Sequence, residues 1–315
     1  AVKAGTAIVT ATSGSATASC KVTVEEAVVE TEMEIRTPED LTAFAAKVSA
    51  GNTTLKGILK ADIDMSKVTD FVGIGTAENP YAGEFDGGDH TITVSMNIKG
   101  NPGTNNCAGI ISFAAGANIH NVTMDGTIYS YNNVGLVART VSGETKIENC
   151  INRAAINSNS PAGGIVGEAY DGLTVESCYN AGNITAQYTN SGQQGVAGIL
   201  GTAAYKNNVV IKNVYNVGKI FDFGSGSIAA GAGGIVGYVN RTSSITNAYN
   251  AGTVSVSGKT KHGSILGYSL KNDCTISNCY WLTGSDEKMY SGTEVALPGT
   301  DTPASTSDAL KALYT

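Results

Sequence analysis

One short phrase, Gly-Ile-Val-Gly, recurs with small changes in six copies along this 315-residue chain and constrains its fold more than any local pattern. The clearest copies are Gly164-Ile165-Val166-Gly167, Gly198-Ile199-Leu200-Gly201 and Gly234-Ile235-Val236-Gly237. Looser copies begin at Gly109, Gly135 and Ser264. About ten residues after each comes a phrase of the type Ile/Val-x-Asn-x-Tyr-Asn. The leading aliphatics are Ile110, Leu136, Ile165, Ile199, Ile235 and Ile265, so the interval runs from 26 residues (110 to 136) to 36 (199 to 235). A repeat of this length implies stacked supersecondary units. So many Gly, Asn and β-branched residues argue against helical units. Each unit offers three short strands with Gly or Asn at the corners, as in Ala197–Leu200, Val209–Tyr215 and Lys219–Ile220. That is one coil of a parallel β-helix, pairing its backbone with the next coil.

Column arithmetic supports this. Asn121, Asn149, Asn213, Asn247 and Asn278 share a corner column broken by Ser177, and Asn tolerates left-handed backbone. Asn152, Asn180, Asn216 and Asn250 form a second column, with Gly182, Gly218 and Gly252 two residues beyond the last three.

Upstream, the pattern changes. Residues 1–26 read as strand, turn, strand. Residues 27–36 are acidic and read as a linker. A helix from about Pro38 to Val48 is punctuated by Thr37, Pro38, Glu39 and Asp40 at its start and Gly51 at its end. Its apolar face, Leu41, Phe44, Ala45 and Val48, suits a plug for the open end of a solenoid. The domain expectation is a hairpin stub at 1–26, linker and capping helix at 27–53, an all-β parallel solenoid at 54–283 and an extension at 284–315.

The repeats resemble GLUG motifs, which occur in bacterial surface proteins and in the N-terminal regions of IgA1-type metallopeptidases. "TPEDLTAFAAKVSAGNTTLKGILKADIDMS", "FVGIGT" and "YAGEFDGGDHTI" resemble what precedes such repeats, so the likeness covers roughly 35–283. "GTAIVTATSGSATASCKVTV" resembles the end of a group 2 bacterial immunoglobulin-like domain. The resemblance implies a right-handed β-helix on the outside of a bacterium, without implying one activity. The His-Glu-x-x-His zinc motif of those peptidases is not found here, since His90, His120 and His262 lack its spacing, and protease activity is not carried over.

Composition narrows function. Charged residues make up 15% of the chain, against about 25% in typical domains. The net charge is -7, with no Lys or Arg run, which disfavours a nucleic-acid partner. No apolar stretch reaches membrane-spanning length. No cofactor is expected, and the chain is expected to act as a monomer.

Four constellations carry candidate chemistry. Tyr179, Tyr215, Tyr249 and Tyr280 form a column that should point outward by strand alternation; it is either an exposed platform for sugar rings or a protein partner, or plain stacking on a β surface. Inserted loops at Tyr188–Gln194 and Phe221–Ala230 are expected on the middle coils, on the tyrosine face or the opposite one. Asp62, Asp64, Asp86 and Asp89 are either a calcium set or turn and surface chemistry. Glu148 and Glu176 share a column with Lys212, which keeps open a polysaccharide-active enzyme needing two carboxylates. Cys150, Cys178 and Cys279 keep apolar company and read as core, with a strained Cys150–Cys178 disulfide as the alternative; Cys274 and Cys279 are expected to face different ways. The leading functional expectation is a non-catalytic extracellular binding or spacer module, with a glycan or host surface protein as partner.

Overall fold

A computed structural model describes residues 5–24, 30–98, 107–159, 161–187, 194–203, 208–224, 230–257, 261–271, 273–282 and 303–304. The chain divides into two units, 1–31 and 32–315. The first is an antiparallel hairpin of β1 (Gly5–Ser13) and β2 (Ala16–Val24), in unbroken register from Gly5 opposite Val24 to Ser13 opposite Ala16. Gly14 supplies the left-handed residue of its turn, at φ 59°. Both faces are exposed, including Ile8, Val9 and Val22.

The second unit is a parallel β-solenoid. Six strands, Ile111–Ala115, Val137–Ser142, Val166–Ala169, Leu200–Ala203, Val236–Val239 and Leu266–Ser269, form one parallel sheet. Each begins within one of the six Gly phrases. The leading aliphatics Ile110, Leu136, Ile165, Ile199, Ile235 and Ile265 are all fully buried. On the next side, Thr145–Glu148, Leu173–Glu176, Val209–Asn216, Ser243–Asn250 and Cys274–Ser277 pair in parallel, coil upon coil.

The chain then turns a corner. Asn121, Asn149, Ser177, Asn213, Asn247 and Asn278 all hold φ between 52° and 57°. Carboxamides bridge successive coils there: Asn149 donates to Asn121 at 3.3 Å, Asn247 to Asn213 at 3.0 Å and Asn278 to Asn247 at 3.2 Å. Where Ser177 interrupts the row, Asn213 donates to Glu176 instead, at 3.4 Å.

The left-handed corner also corrects one expectation. Cys274 and Cys279 do not face different ways; both are buried in the core. Strict alternation would put residues 274, 276 and 278 inside. The turn at Asn278 advances the phase by one, so Cys279 re-enters the core, as Cys150, Cys178, Val214 and Ala248 do in their coils. All six cysteines are free thiols.

The Gly-rich strands Ala162–Gly163, Gln194–Ala197, Ala230–Gly233 and Lys261–Gly263 form a separate four-stranded parallel sheet that folds back on the six-stranded one. Their approach is backbone to backbone. A Cβ on Gly231 would lie 3.0 Å from Tyr268 N and Cβ, so the repeat needs Gly at this contact.

Helix α1 (Pro38–Ser49) starts as its sequence requires. Thr37 Oγ1 accepts from Asp40 N at 3.2 Å, and Asp40 Oδ2 accepts from Thr37 N at 3.1 Å, closing a capping box. Leu41, Phe44, Ala45 and Val48 are buried. Phe44 meets Tyr81 and Phe85 edge-on, at 5.8 and 5.9 Å, and so closes the first coils. The acidic stretch before the helix is only partly a linker, because Glu32–Ile35 is a strand paired in parallel with Lys56–Leu59. Met33 and Ile35 alternate with Glu32 and Glu34, and Ile35 is fully buried. The apolar alternation inside the acidic run supplies the first coil. The expected extension at 284–315 lies outside the described residues, apart from a short parallel pairing of Pro303–Ala304 with Trp281–Leu282.

Candidate functional site

The tyrosine column assembles in register: Tyr179 pairs with Tyr215, Tyr215 with Tyr249 and Tyr249 with Tyr280. The same column continues downward through Ile151, Thr123 and Thr91. Tyr179 and Tyr215 stack with centroids 4.6 Å apart and planes within 6°. Tyr179, Tyr215 and Tyr280 are half-buried, whereas Tyr249, between Tyr215 and Tyr280, is only 4% exposed.

This corrects the expectation of an open flat platform. Rings that stack on one another spend their faces on each other. What Tyr179 and Tyr215 can offer a partner is mainly ring edge and phenol hydroxyl. Burial, followed by the neighbouring Tyr179, raises the Tyr215 pKa, and burial raises that of Tyr249, so both phenols stay protonated; the Tyr249 hydroxyl is itself buried, out of reach of a binding partner. Arg153 hydrogen-bonds Tyr179, and that bond holds the guanidinium pKa above its ordinary value. The expected loops of the middle coils fall largely on residues 188–193 and 225–229, outside those described. Phe221 and Asp222 are not loop; they belong to the strand Ile220–Asp222.

The four aspartates are not brought together as a calcium set. Asp62 accepts from Thr91 N at 2.8 Å and lies 3.3 Å from His90 Nδ1; Asp64 accepts from Ser66 N, and Asp86 from Gly88 N, both at 2.9 Å. Asp89 holds the left-handed turn, at φ 62°. Asp64 and Asp86 are engaged by their own turns, as Asp is in short turns, and Asp62 by the backbone and His90 of the next coil. Among the described residues, no group of three or more His, Cys, Asp and Glu is placed to hold a metal.

Two further groupings stand out. Glu84, Asp86 and His120 converge on the first coils, with His120 Nε2 and Nδ1 each 3.4 Å from a carboxylate oxygen and Lys56 Nζ 3.1 Å from Glu84. Glu148, Glu176 and Lys212 share a column, and Lys212 Nζ sits 2.7 Å from Glu176.

A third grouping leaves almost no signal in the sequence. Glu168 reads there as one more surface acid, yet it is 7% exposed. It accepts from Asn133 Nδ2 and lies 3.0 Å from Arg139 Nε, while Arg139 also stands over the Tyr170 ring at 5.6 Å. Cys107 lies beside this network, its thiol pushed up to about 12 chiefly by burial. The network closes a buried outer layer, because the fold-back sheet covers the outward column that runs from Phe113 through Arg139, Glu168 and Thr202 to Tyr238 and Tyr268. The only hint in sequence is position: Glu168 directly follows a Gly phrase.

No family model matches the chain, and no curated protein matches it. Solved structures do. A crystal structure from Bacteroides ovatus, provisionally named an immunoglobulin A1 protease, aligns with a TM-score of 0.66 over 89% of this chain and 86% of that one, at 21% identity. A second, named IgA1 Protease, aligns with a TM-score of 0.60 over 90% of this chain, at 14% identity. The present chain spans 22% of that second protein. These likenesses establish the fold. Among the described residues, no helix is long and apolar enough to cross a membrane.

Proposed function

We propose that this chain is a non-catalytic module of an extracellular bacterial surface protein, a stiff solenoid of GLUG-type repeats that presents a protein-binding strip along its tyrosine column. The hairpin is then the end of a bacterial immunoglobulin-like domain. The observation that carries the reading is the column itself: four tyrosines in consecutive coils, two of them stacked at 4.6 Å, with Arg153 at its lower end. Amphipathic rings fixed on a rigid sheet give contact area at low entropic cost. Stacked rings that show edges and hydroxyls suit the mixed surface of a protein better than the face of a sugar.

The enzyme reading has less support. Its best acid pair, Glu148 and Glu176, has Glu176 engaged by Lys212. A protein target also fits the names of the two structural neighbours, and immunoglobulin A1 is the first probe to try. The test is binding of the purified chain to immobilised immunoglobulin A1 and to a glycan array, with Tyr215→Ser/Tyr249→Ser alongside. Loss of protein binding in a double variant with an unchanged circular dichroism spectrum supports the strip. Unchanged affinity removes the column from the functional account and leaves it as packing.

A further inference from the structure

The side of the solenoid that follows the buried Asn152 column carries two outward columns of unusual composition. One is Asn97, Tyr129, Asn157, Thr185, Phe221 and Ser255, in continuous parallel register. The other lies two residues further along each coil: Tyr131, Asn159, Gln187, Phe223 and Ser257. Its last four members donate backbone N–H groups to the carbonyls of Ser130, Ser158, Ala186 and Asp222 in the coil below, which fixes the same stacking.

From these two columns, we propose that this face binds an uncharged oligosaccharide laid along the solenoid axis, at a site distinct from the tyrosine column.

Three observations carry it. First, the aromatic residues come as two pairs within one strip, with Asn97 in the coil before the first pair and Ser255 and Ser257 in the coil after the second. Tyr129 and Tyr131 meet edge to face, at 5.8 Å and 78°. Phe221 and Phe223 are parallel within 4°, with centroids 6.1 Å apart. Phe223 is 56% exposed. At 6.1 Å, parallel rings are either laterally offset or separated by a gap, and in both cases ring face stays uncovered. The Tyr179–Tyr215 stack, with centroids 4.6 Å apart, leaves less. Uncovered ring faces are what the C–H faces of a pyranose pack on.

Second, the pairs are three coils apart, about 14 Å at the usual strand spacing. Between them stand Asn157, Asn159, Thr185 and Gln187, whose amides and hydroxyls can both donate and accept. Apolar plates at the ends and neutral hydrogen-bonding groups between them match a short extended sugar, with ring faces at its ends and hydroxyls along its length.

Third, neither column contains an Asp, Glu, Lys, Arg or His among the described residues; Lys219, in the neighbouring column, stands at the margin. On a chain of net charge -7, two columns with no cation among their described residues offer little to an acidic polysaccharide. The chemistry selects a neutral one.

The test is calorimetric titration of the full chain with neutral tetrasaccharides built from glucose, mannose or N-acetylglucosamine, with tetragalacturonate as the anionic control. At least one neutral tetrasaccharide should bind, and tetragalacturonate should not. Phe223→Ala and Tyr131→Ala, both at outward positions, should each weaken binding by about tenfold. Circular dichroism confirms folding. Absence of heat with every neutral sugar overturns the proposal. So does binding that survives the Phe223→Ala/Tyr131→Ala double variant, or a preference for tetragalacturonate. Tyr215→Ser/Tyr249→Ser should leave sugar binding intact. If that variant alone abolishes it, the sugar belongs to the tyrosine column and this assignment fails. If protein binding fails while sugar binding persists, the strip proposed above fails and this face stands.

Discussion

Asn180 donates its side-chain amide to Asn216 Oδ1 at 2.7 Å, from one coil of the solenoid to the next. The same bond runs from Asn152 to Asn180 at 2.6 Å and from Asn216 to Asn250 at 2.8 Å. All four side chains are fully buried. Each amide also donates to a backbone carbonyl two residues on: Ala154, Gly182, Gly218 and Gly252 in turn. The column therefore does two jobs inside the core. It satisfies backbone groups at a bend, and it ties neighbouring coils in one register. A buried polar row is tolerated here because its groups have partners.

Removing one rung should be costly. Asn216→Ala removes four hydrogen bonds from a dry core, those to the Gly218 N–H, the Gly218 carbonyl, Asn180 Nδ2 and Asn250 Oδ1, and leaves the Gly218 N–H only a long bond to the Asn180 carbonyl. The expected loss is at least about 3 kcal/mol. Asn216→Asp should also destabilise, since a carboxylate cannot donate to Gly218 or Asn250. Urea unfolding of both variants checks this; a midpoint within error of wild type for Asn216→Ala would rule out the ladder as a stabilising element.

The glycines beside this ladder act by close approach. A Cβ on Gly218 would overlap the carbonyl oxygen of Gly182 in the coil below. Gly218→Ala must therefore push two coils apart, and should cost more than the roughly 1 kcal/mol stabilisation that Gly→Ala gives at a tolerant site, with opposite sign. Thermal melts of Gly218→Ala beside Gly5→Ala, where nothing lies within 4 Å, separate crowding from backbone entropy.

Much of this architecture is legible in the amino-acid sequence. Ile110, Leu136, Ile165, Ile199, Ile235 and Ile265 align because every coil places the same position in the same environment, so a column repeats its residue type. Asn121 to Asn278 are legible for the same reason, and even the Ser177 exception holds the corner backbone. What escapes are relations without a repeat. Arg139 and Glu168 occupy one column but differ in residue type, so their pairing leaves no periodic trace. Phe221 reads as loop because its coil is the longest, and extra length obscures the strand Ile220–Asp222. The common facing of Cys274 and Cys279 escapes because a left-handed residue shifts alternation by one, and simple period-two counting ignores it. The register of the tyrosine column follows from the repeat, but how far its rings cover one another depends on ring angles that no sequence pattern specifies.

The helix is expected to matter most through one ring. Phe44 is fully buried against Tyr81 and Phe85, and its edge also closes on Gly57, where a Cβ would come within 2.9 Å of the ring. Phe44→Ala opens a cavity at the mouth of the solenoid and should cost about 3–5 kcal/mol. Thr37→Ala, which removes only the cap, should cost about 1 kcal/mol. Differential scanning calorimetry orders the two; equal shifts would mean the helix does not plug the first coils.

Acid should loosen the first coils through Glu84. Its pKa lies below the ordinary value chiefly because Lys56 hydrogen-bonds it, with His120 adding to the effect. A carboxylate depressed on folding contributes stability that is present above its unfolded pKa of about 4.3 and is lost as pH falls through the folded value. Glu84's side chain is 39% exposed, so the contribution is screened to below about 1 kcal/mol. Lys56→Met should raise the Glu84 titration midpoint towards the unperturbed value in a carboxyl-selective NMR titration. No movement would show that the pair seen at 3.1 Å has no energetic weight.

The thiols give the sharpest chemical test of the core assignment. Cys107, Cys150, Cys178, Cys274 and Cys279 are buried, and Cys20 is exposed on its hairpin. Burial pushes the Cys274 thiol up to about 12, as it does for Cys107. Cys178 is also raised, first by burial and then by its side-chain hydrogen bond with the Cys150 thiol; the Cys150 backbone N–H, 3.3 Å from Cys178 Sγ, opposes this and is outweighed. The thiolate is the reactive form, so these groups combine a low thiolate fraction with no access. Brief iodoacetamide treatment of the native protein near neutral pH should therefore label Cys20 alone. The same treatment in denaturant should label all six, since none is in a disulfide. Peptide mass mapping reads both outcomes. Native labelling at Cys150 or Cys178 would mean the corner coils open readily. A pair resistant to labelling in denaturant without reductant, but not with it, would mean Cys150 and Cys178 are joined and the free-thiol core is wrong.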